Sequence, residues 1–347
     1  MHRARFNHLE WPARAELTFD ELFRTYHESS AIPANKSMQP TRRHLNIDGL
    51  ELSFLEQGKA VPGTPSLVLL HGLMGCADTF RRLLAELSEA QHVIALDFPG
   101  AGASERREGL DATLKYTSNL TARVLEKLMI RNACVVGHSH GGAVAMTLAQ
   151  TVPERVGSLV LLAPAHPHFD EGDPVIRFYI SLPGRLFAYS LPWFPQWMQR
   201  IGLRRMSGQE RADTLEYLQP YRENLRTPGT IRHLLSLLRT WHKDMARLQR
   251  KLSKGVTQPT LMLWGDSDRA VPHTSADELL KHFRQVKLRI LPGVGHRPAE
   301  ECAERVAAHI TSFLARVQDE RLTQSPKLAE SHVRTASLMT PSFGSGD

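Results

Sequence analysis

Three residues, Ser139, Asp268 and His296, come in an order that suits acyl-transfer chemistry. A serine hydroxyl is a poor nucleophile until a base takes its proton, and an imidazole base needs a carboxylate to hold its tautomer. Ser139 stands in the frame Gly137-His138-Ser139-His140-Gly141, a G-x-S-x-G pattern. Such a frame suits a nucleophile on a sharp strand-to-helix turn, where the backbone is strained and nearby side chains would collide; glycine at 137 and 141 removes them. The helix that follows aims its free N–H groups at the reacting atom. Asp268 follows one later apolar run and His296 follows the next. Ser, then Asp, then His is the order this kind of turn requires. Asp266 flanks the same turn as Asp268; we assign the carboxylate role to Asp268 and a turn-capping role to Asp266. His138 and His140 compete as bases by adjacency alone, and neighbours on a sharp turn point away from the nucleophile.

A tetrahedral intermediate needs N–H donors in place before it forms. The His140 amide, at the helix start, is one candidate. The other is the Leu73 amide, in the loop His71-Gly72-Leu73-Met74-Gly75, where Gly72 permits close approach. His71 is expected to brace that loop by hydrogen bonding.

These residues need a scaffold that gathers strand ends. Strand signals fall at residues 43–47, 50–56 (after the hairpin pair Asp48-Gly49), 66–70, 92–96, 133–136, 158–162, 260–264 and 286–291. Helical patterns lie between them at about 78–89, 112–129, after the serine turn, at 275–283 and up to 317. Short apolar strands alternating with helices predict an α/β fold with a doubly wound, mostly parallel sheet. Ligands in such sheets bind beyond the carboxyl ends of the strands, where the Gly-, His-, Asp- and Ser-rich segments all lie.

From 166 to 255 the strands stop. Helical pieces are separated by Pro and Gly, and the segment holds 11 of the chain's 24 aromatic residues. An inserted helical lid with an apolar underside accounts for both features. The expected organisation is an N-terminal arm (1–43, with a helix around 17–23), a first core segment (44–165), the lid (166–255), a second core segment (256–318) and a disordered tail (319–347).

The chain of 347 residues is 41% hydrophobic and 23% charged, the balance of an ordinary globular protein. No apolar run reaches membrane-spanning length, the N-terminus lacks the apolar core of a secretory signal, and three scattered cysteines fit a reducing compartment. A cytoplasmic location is the expectation. The net charge of +7 resides entirely in residues 166–255, which hold 15 Lys/Arg and 8 Asp/Glu. Spread through helical patterns, that excess is read as a solvated face, or as a surface that attracts acidic substrates or lipid; it does not suggest nucleic-acid binding. Stable membrane insertion is not expected, and any peripheral contact would be made through the basic lid. Gly100-Ala101-Gly102 is too short for a dinucleotide fingerprint, and no metal-ligand spacing occurs, so neither cofactor nor metal is expected. The partner is a small-molecule substrate.

Taken together, HGLMG (71–75), DFPGAGAS (97–104), GHSHGG (137–142), WGDSDRAVP (264–272) and GVGH (293–296) resemble the α/β-hydrolase fold superfamily, in its lidded branch of esterases, C–C bond hydrolases and epoxide hydrolases. The resemblance covers about residues 44–316. It implies Ser139 as nucleophile, Asp268 as acid, His296 as base, and the Leu73 and His140 amides as oxyanion hole. Similar epoxide hydrolases and haloalkane dehalogenases carry Asp at the nucleophile position, so serine argues against both. C–C bond hydrolases of this type often place an aromatic residue after the catalytic histidine, where this chain has Arg297. His140 stands where an apolar residue is more usual. The expected function is hydrolysis of an ester, thioester or related acyl bond of a largely apolar small molecule through an acyl-enzyme. C–C hydrolysis of a diketone-like substrate, or ligand binding without catalysis, are the alternatives.

Overall fold

The computed structural model describes residues 39–87, 91–169, 173–208 and 215–337. Most of the expected N-terminal arm, with the patch at 17–23, lies outside the described residues. The chain enters through β1 (Thr41–Ile47) and reverses at Asp48-Gly49, both at positive φ (52° and 82°), into β2 (Leu50–Gln57). Two left-handed residues give a turn whose twist matches that of the paired strands.

There follow β3 (Ser66–Leu70), α1 (Arg81–Glu86), β4 (Val93–Leu96), α2 (Leu114–Lys127), β5 (Ala133–His138), α3 (His140–Thr151) and β6 (Val156–Leu162). After the insertion come β7 (Thr260–Gly265), α9 (Ala276–Leu280), β8 (Val286–Leu291), α10 (Pro298–Glu301) and α11 (Ala303–Ser337). The sheet runs β1-β2-β4-β3-β5-β6-β7-β8. The β1–β2 and β2–β4 pairs are antiparallel and every other neighbouring pair is parallel. Every residue of β3, β4, β5 and β7 is buried, because helices cover both faces of a parallel sheet. Their sequences therefore read as continuous apolar runs.

Two expected helices are shorter than their patterns. The one at 78–89 opens with a tight turn, Ala77–Phe80, before α1, and the one at 275–283 opens with another, His273–Ser275, before α9. The last helix runs longer than its pattern. The sequence places a tail from residue 319, yet α11 continues to Ser337, with Pro326 inside that stretch. The chain divides into two compact units, Met1–Ala308 and His309–Asp347; the described residues of the latter, 309–337, continue α11.

Between β6 and β7 the described residues form helices and no strand: α4 (Asp173–Ile180), α5 (Leu182–Ser190), α6 (Gln196–Met206), α7 (Leu215–Arg226) and α8 (Thr230–Leu252). Helix α8 joins this insertion to the core. Its Ile231 and Leu235 pack with Ala188 of α5, while Met245, Leu248 and Leu252 belong to the cluster that covers the sheet. The aromatic set expected beneath a lid largely faces outward: Phe178, Tyr189, Trp193 and Trp197 are exposed.

Candidate active site

Ser139 is the single residue between β5 and α3, at φ 50° and ψ −117°. A non-glycine residue in that region carries strain of about 1–3 kcal/mol, so its surroundings must hold it there. The Ser139 amide donates to Leu162 C=O (3.0 Å), and its carbonyl accepts from the amides of Gly142 (2.8 Å) and Ala165 (2.9 Å). The flanking glycines are dictated by space. A Cβ on Gly141 would lie 2.1 Å from the Leu70 carbonyl oxygen, and one on Gly137 would lie 2.5 Å from that of Gly141.

His296 sits on the loop between β8 and α10, and Asp268 on the turn after β7. The Ser139 hydroxyl meets His296 Nε2 at 3.0 Å, and His296 Nδ1 meets Asp268 Oδ2 at 2.9 Å. An ionised carboxylate can only accept, so Nδ1–H donates to Asp268 and Nε2 faces Ser139 with its lone pair. The other Asp268 oxygen accepts the amides of Ala270 (2.8 Å) and Val271 (2.9 Å), which fixes the carboxylate. All three side chains are buried. Asp266 lies apart from them; it accepts the Gly293 amide (2.9 Å) and so ties the Asp268 turn to the His296 loop.

The three neighbouring histidines are held neutral. Burial, reinforced by His296, pushes the His138 pKa down to about 3. His138 Nε2–H donates to the His296 backbone carbonyl (2.7 Å), so this residue supports the histidine it adjoins. Burial also lowers His140 to about 3; its ring packs edge-on against Phe98 (5.9 Å) and lies 6.3 Å from Trp241. Trp241 in turn lines an open groove of about 470 Å³ with Pro167, Phe169, Ile176, Met245, His242 and Gln249. His71, likewise lowered by burial, accepts the Phe98 amide at Nε2 (3.1 Å) and donates from Nδ1 to Gly72 C=O (2.8 Å).

That last bond shapes the loop carrying Leu73. Gly75 N–H closes a turn onto Gly72 C=O (3.2 Å), with Met74 at φ 63°. The loop lies against the serine: a Cβ on Gly72 would stand 3.1 Å from Ser139 Cβ. The Leu73 and His140 amides thus belong to the two backbone segments that flank Ser139.

Three further residues support the site: Asp97 heads the DFPGAGAS stretch and Arg297 follows His296, while nothing in the sequence marks Asn224. Asn224, on α7, donates to the carbonyls of Met74 and Gly75 (2.9 Å each) and accepts from the Gly102 amide (2.8 Å) and Arg106 (3.2 Å). Asp97 accepts from the amides of Ala77 (2.6 Å) and Ala103 (3.0 Å) and from Arg42 (2.6 Å), joining the loops that follow β3 and β4. Arg297 is only 1% exposed; it pairs with Glu300 (3.0 Å), bonds Ser207 of the insertion and lies over the Tyr221 ring, whose hydroxyl donates to Glu300 (2.6 Å). The position after His296 therefore holds a buried ion pair capped by an aromatic ring from the insertion. Among the described residues, no group of three His, Cys, Asp or Glu side chains could hold a metal ion, and no helix is long and apolar enough to cross a membrane.

Comparison with known proteins agrees with this architecture. The family described as the alpha/beta hydrolase fold matches residues 65–301. A pimeloyl-[acyl-carrier protein] methyl ester esterase of Nitrosomonas europaea is 29% identical over 67% of this chain and 89% of its own. A 2-hydroxy-6-oxononadienedioate/2-hydroxy-6-oxononatrienedioate hydrolase of Burkholderia vietnamiensis is 28% identical over 80% of this chain and 96% of its own. The crystal structure of Cfl2 from Burkholderia cenocepacia superposes with a TM-score of 0.69 at 22% identity, covering 80% of this chain and 97% of that one.

Proposed function

Since the chain belongs to the α/β-hydrolase fold family and is a hydrolase, we propose that it cleaves an ester or related acyl bond of a largely apolar small molecule through an acyl-enzyme on Ser139. The observation that carries this reading is the continuous chain of two bonds, Ser139 Oγ to His296 Nε2 (3.0 Å) and His296 Nδ1 to Asp268 Oδ2 (2.9 Å). In this reading His296 takes the Ser139 proton as Oγ attacks the carbonyl carbon, and Asp268 stabilises the imidazolium that forms. The oxyanion accepts from the Leu73 and His140 amides. His296 then gives its proton to the departing alkoxide. Water, deprotonated by the same imidazole, releases the acid from Ser139.

Preference for an apolar acyl group is supported by the aromatic rings of Phe98 and Trp241, which lie beside His140 next to Ser139. The helical insertion would act as the lid, since its Ser207 and Gly208 lie against the loop that carries His296: Glu301 accepts the amides of both Gly208 (3.0 Å) and Gly295 (2.8 Å).

The test is hydrolysis of p-nitrophenyl esters of graded chain length by the parent and by Ser139→Ala. The substitution should lower kcat by about a thousandfold or more; an intact rate would overturn the reading. The Burkholderia vietnamiensis relative favours a second reading, in which the same three residues cleave a C–C bond of a diketone-like substrate. Turnover of such a compound, with none of any simple ester, would decide for it.

A further inference from the structure

His296 stands on a loop outside helix and strand, so its place depends on what holds the backbone of residues 293–297. Asp266 accepts the Gly293 amide (2.9 Å), the Ser267 amide donates to the Val294 carbonyl (3.0 Å), and His138 donates to the His296 carbonyl (2.7 Å). The amides on either side of His296 both go to one carboxylate. Glu301 Oε2 accepts Gly295 N–H (2.8 Å) and Oε1 accepts Arg297 N–H (3.0 Å). Arg297 is the N-cap of α10, and a bond from a first-turn glutamate back to that amide is an ordinary helix cap. Capping does not account for the Gly295 bond, because that amide lies outside the helix.

The same oxygen reaches a third amide. Glu301 Oε2 also accepts Gly208 N–H (3.0 Å), just past α6 of the insertion. Two amides can share it because the two segments touch backbone to backbone. A Cβ on Gly295 would lie 2.3 Å from the Gly208 nitrogen, and one on Gly208 would lie 2.7 Å from the Gly293 carbonyl oxygen. An ionised carboxylate has about four acceptor sites and holds amides more strongly than a neutral group does. We propose that Glu301 is a positioning residue for His296: its carboxylate fixes the backbone on both sides of the base and ties that backbone to the insertion through Gly208. Glu301 acts through backbone, so its loss should move the imidazole without altering the binding of substrate. A misplacement on the order of 1 Å costs about 100-fold in rate. The kinetic consequence rests on the hydrolase reading above; the hold on the imidazole does not.

The test compares Glu301→Ala, Glu301→Gln and Gly208→Ala with the parent in the full chain, with circular dichroism and melting curves to confirm folding. On p-nitrophenyl butyrate, Glu301→Ala should lose about 100-fold in kcat with KM within about threefold. Glu301→Gln keeps one acceptor oxygen and should lose less, about tenfold. Gly208→Ala, whose Cβ pushes the insertion off the loop, should lose about as much as Glu301→Gln. Proton magnetic resonance gives a reading independent of turnover. The His296 Nδ1–H shared with Asp268 resonates far downfield, and in all three variants that signal should shift or exchange away. If the hydrolase reading fails, with Ser139→Ala at the parental rate, the signal still reports the hold on the imidazole. A folded Glu301→Ala with kcat within about threefold of the parent and an unmoved signal, whatever its melting temperature, would reduce Glu301 to a helix cap and overturn the proposal. A folded Gly208→Ala with parental kcat and signal would also overturn it. Should Glu301→Ala not fold, Glu301→Gln decides by the same two readings.

Discussion

Replacing Asn224 tests whether the insertion takes part in catalysis without touching substrate. Its amide group makes four hydrogen bonds while almost fully buried, two of them to the turn that carries Leu73. Asn224→Ala removes the donor from the Met74 and Gly75 carbonyls, at about 1–3 kcal/mol for the buried Gly75 carbonyl and less for the half-buried Met74 one. The turn relieves that cost by shifting, and the Leu73 amide shifts with it. An oxyanion donor removed from its place costs about 100-fold or more in kcat, with KM changing far less because the ground-state carbonyl is weakly held there. Asn224→Asp is the sharper variant. It still accepts from Gly102 N–H and Arg106, but sets a carboxylate oxygen against two carbonyls, so kcat should fall at least as far. Steady-state kinetics on p-nitrophenyl butyrate, with melting curves to confirm folding, separate the two parameters. If folded Asn224→Ala keeps kcat within about threefold of the parent, the insertion does not position the oxyanion donors.

Three further outcomes follow from the geometry. Gly141→Ala should yield no stable protein, since its Cβ would stand 2.1 Å from the Leu70 carbonyl oxygen; a folded, active variant would contradict the close approach. Gly202→Ala, in α6 with nothing within 4 Å of the new Cβ, should raise the urea midpoint by about 0.5–1 kcal/mol in free energy at unchanged slope. Stability should decline as pH falls below about 6.5, because burial lowers His138, His140 and His166 to about 3 and His233 to about 4. The unfolded chain binds protons there that the folded chain does not, so the stabilisation is complete above the unfolded pKa and is lost toward the folded one, at about 1.4 kcal/mol per pH unit for each histidine. Urea titrations at pH 7, 6 and 5 would reveal it, with His140→Met flattening the slope by about one proton; a flat profile in the parent refutes it.

The parallel sheet was legible because strands covered on both faces must be apolar throughout, as at 66–70, 133–136 and 260–264. The bonded trio was legible for a related reason. Each member stands where such a run ends, and a strained serine turn leaves glycines at fixed offsets. The supports were not legible, because their partners are backbone atoms distant in sequence. His138 bonds the carbonyl of His296, 158 positions away, and Asn224 bonds carbonyls of a loop 149 and 150 positions away. A carbonyl is present at every residue and marks no position. Composition located the aromatic cluster at 178–197, but its direction depends on which side of α5 carries Gly184 and Ala188, and that side packs inward.

On this mechanism Ser139 is an activated nucleophile. The most direct measurement is the mass of the protein after treatment with a fluorophosphonate, with the modified residue located by peptide mapping. The account predicts one adduct per chain, on the peptide that contains Ser139, absent from Ser139→Ala and strongly slowed in His296→Ala. A folded parent that takes no adduct, or an adduct on another residue that persists in Ser139→Ala, would contradict it.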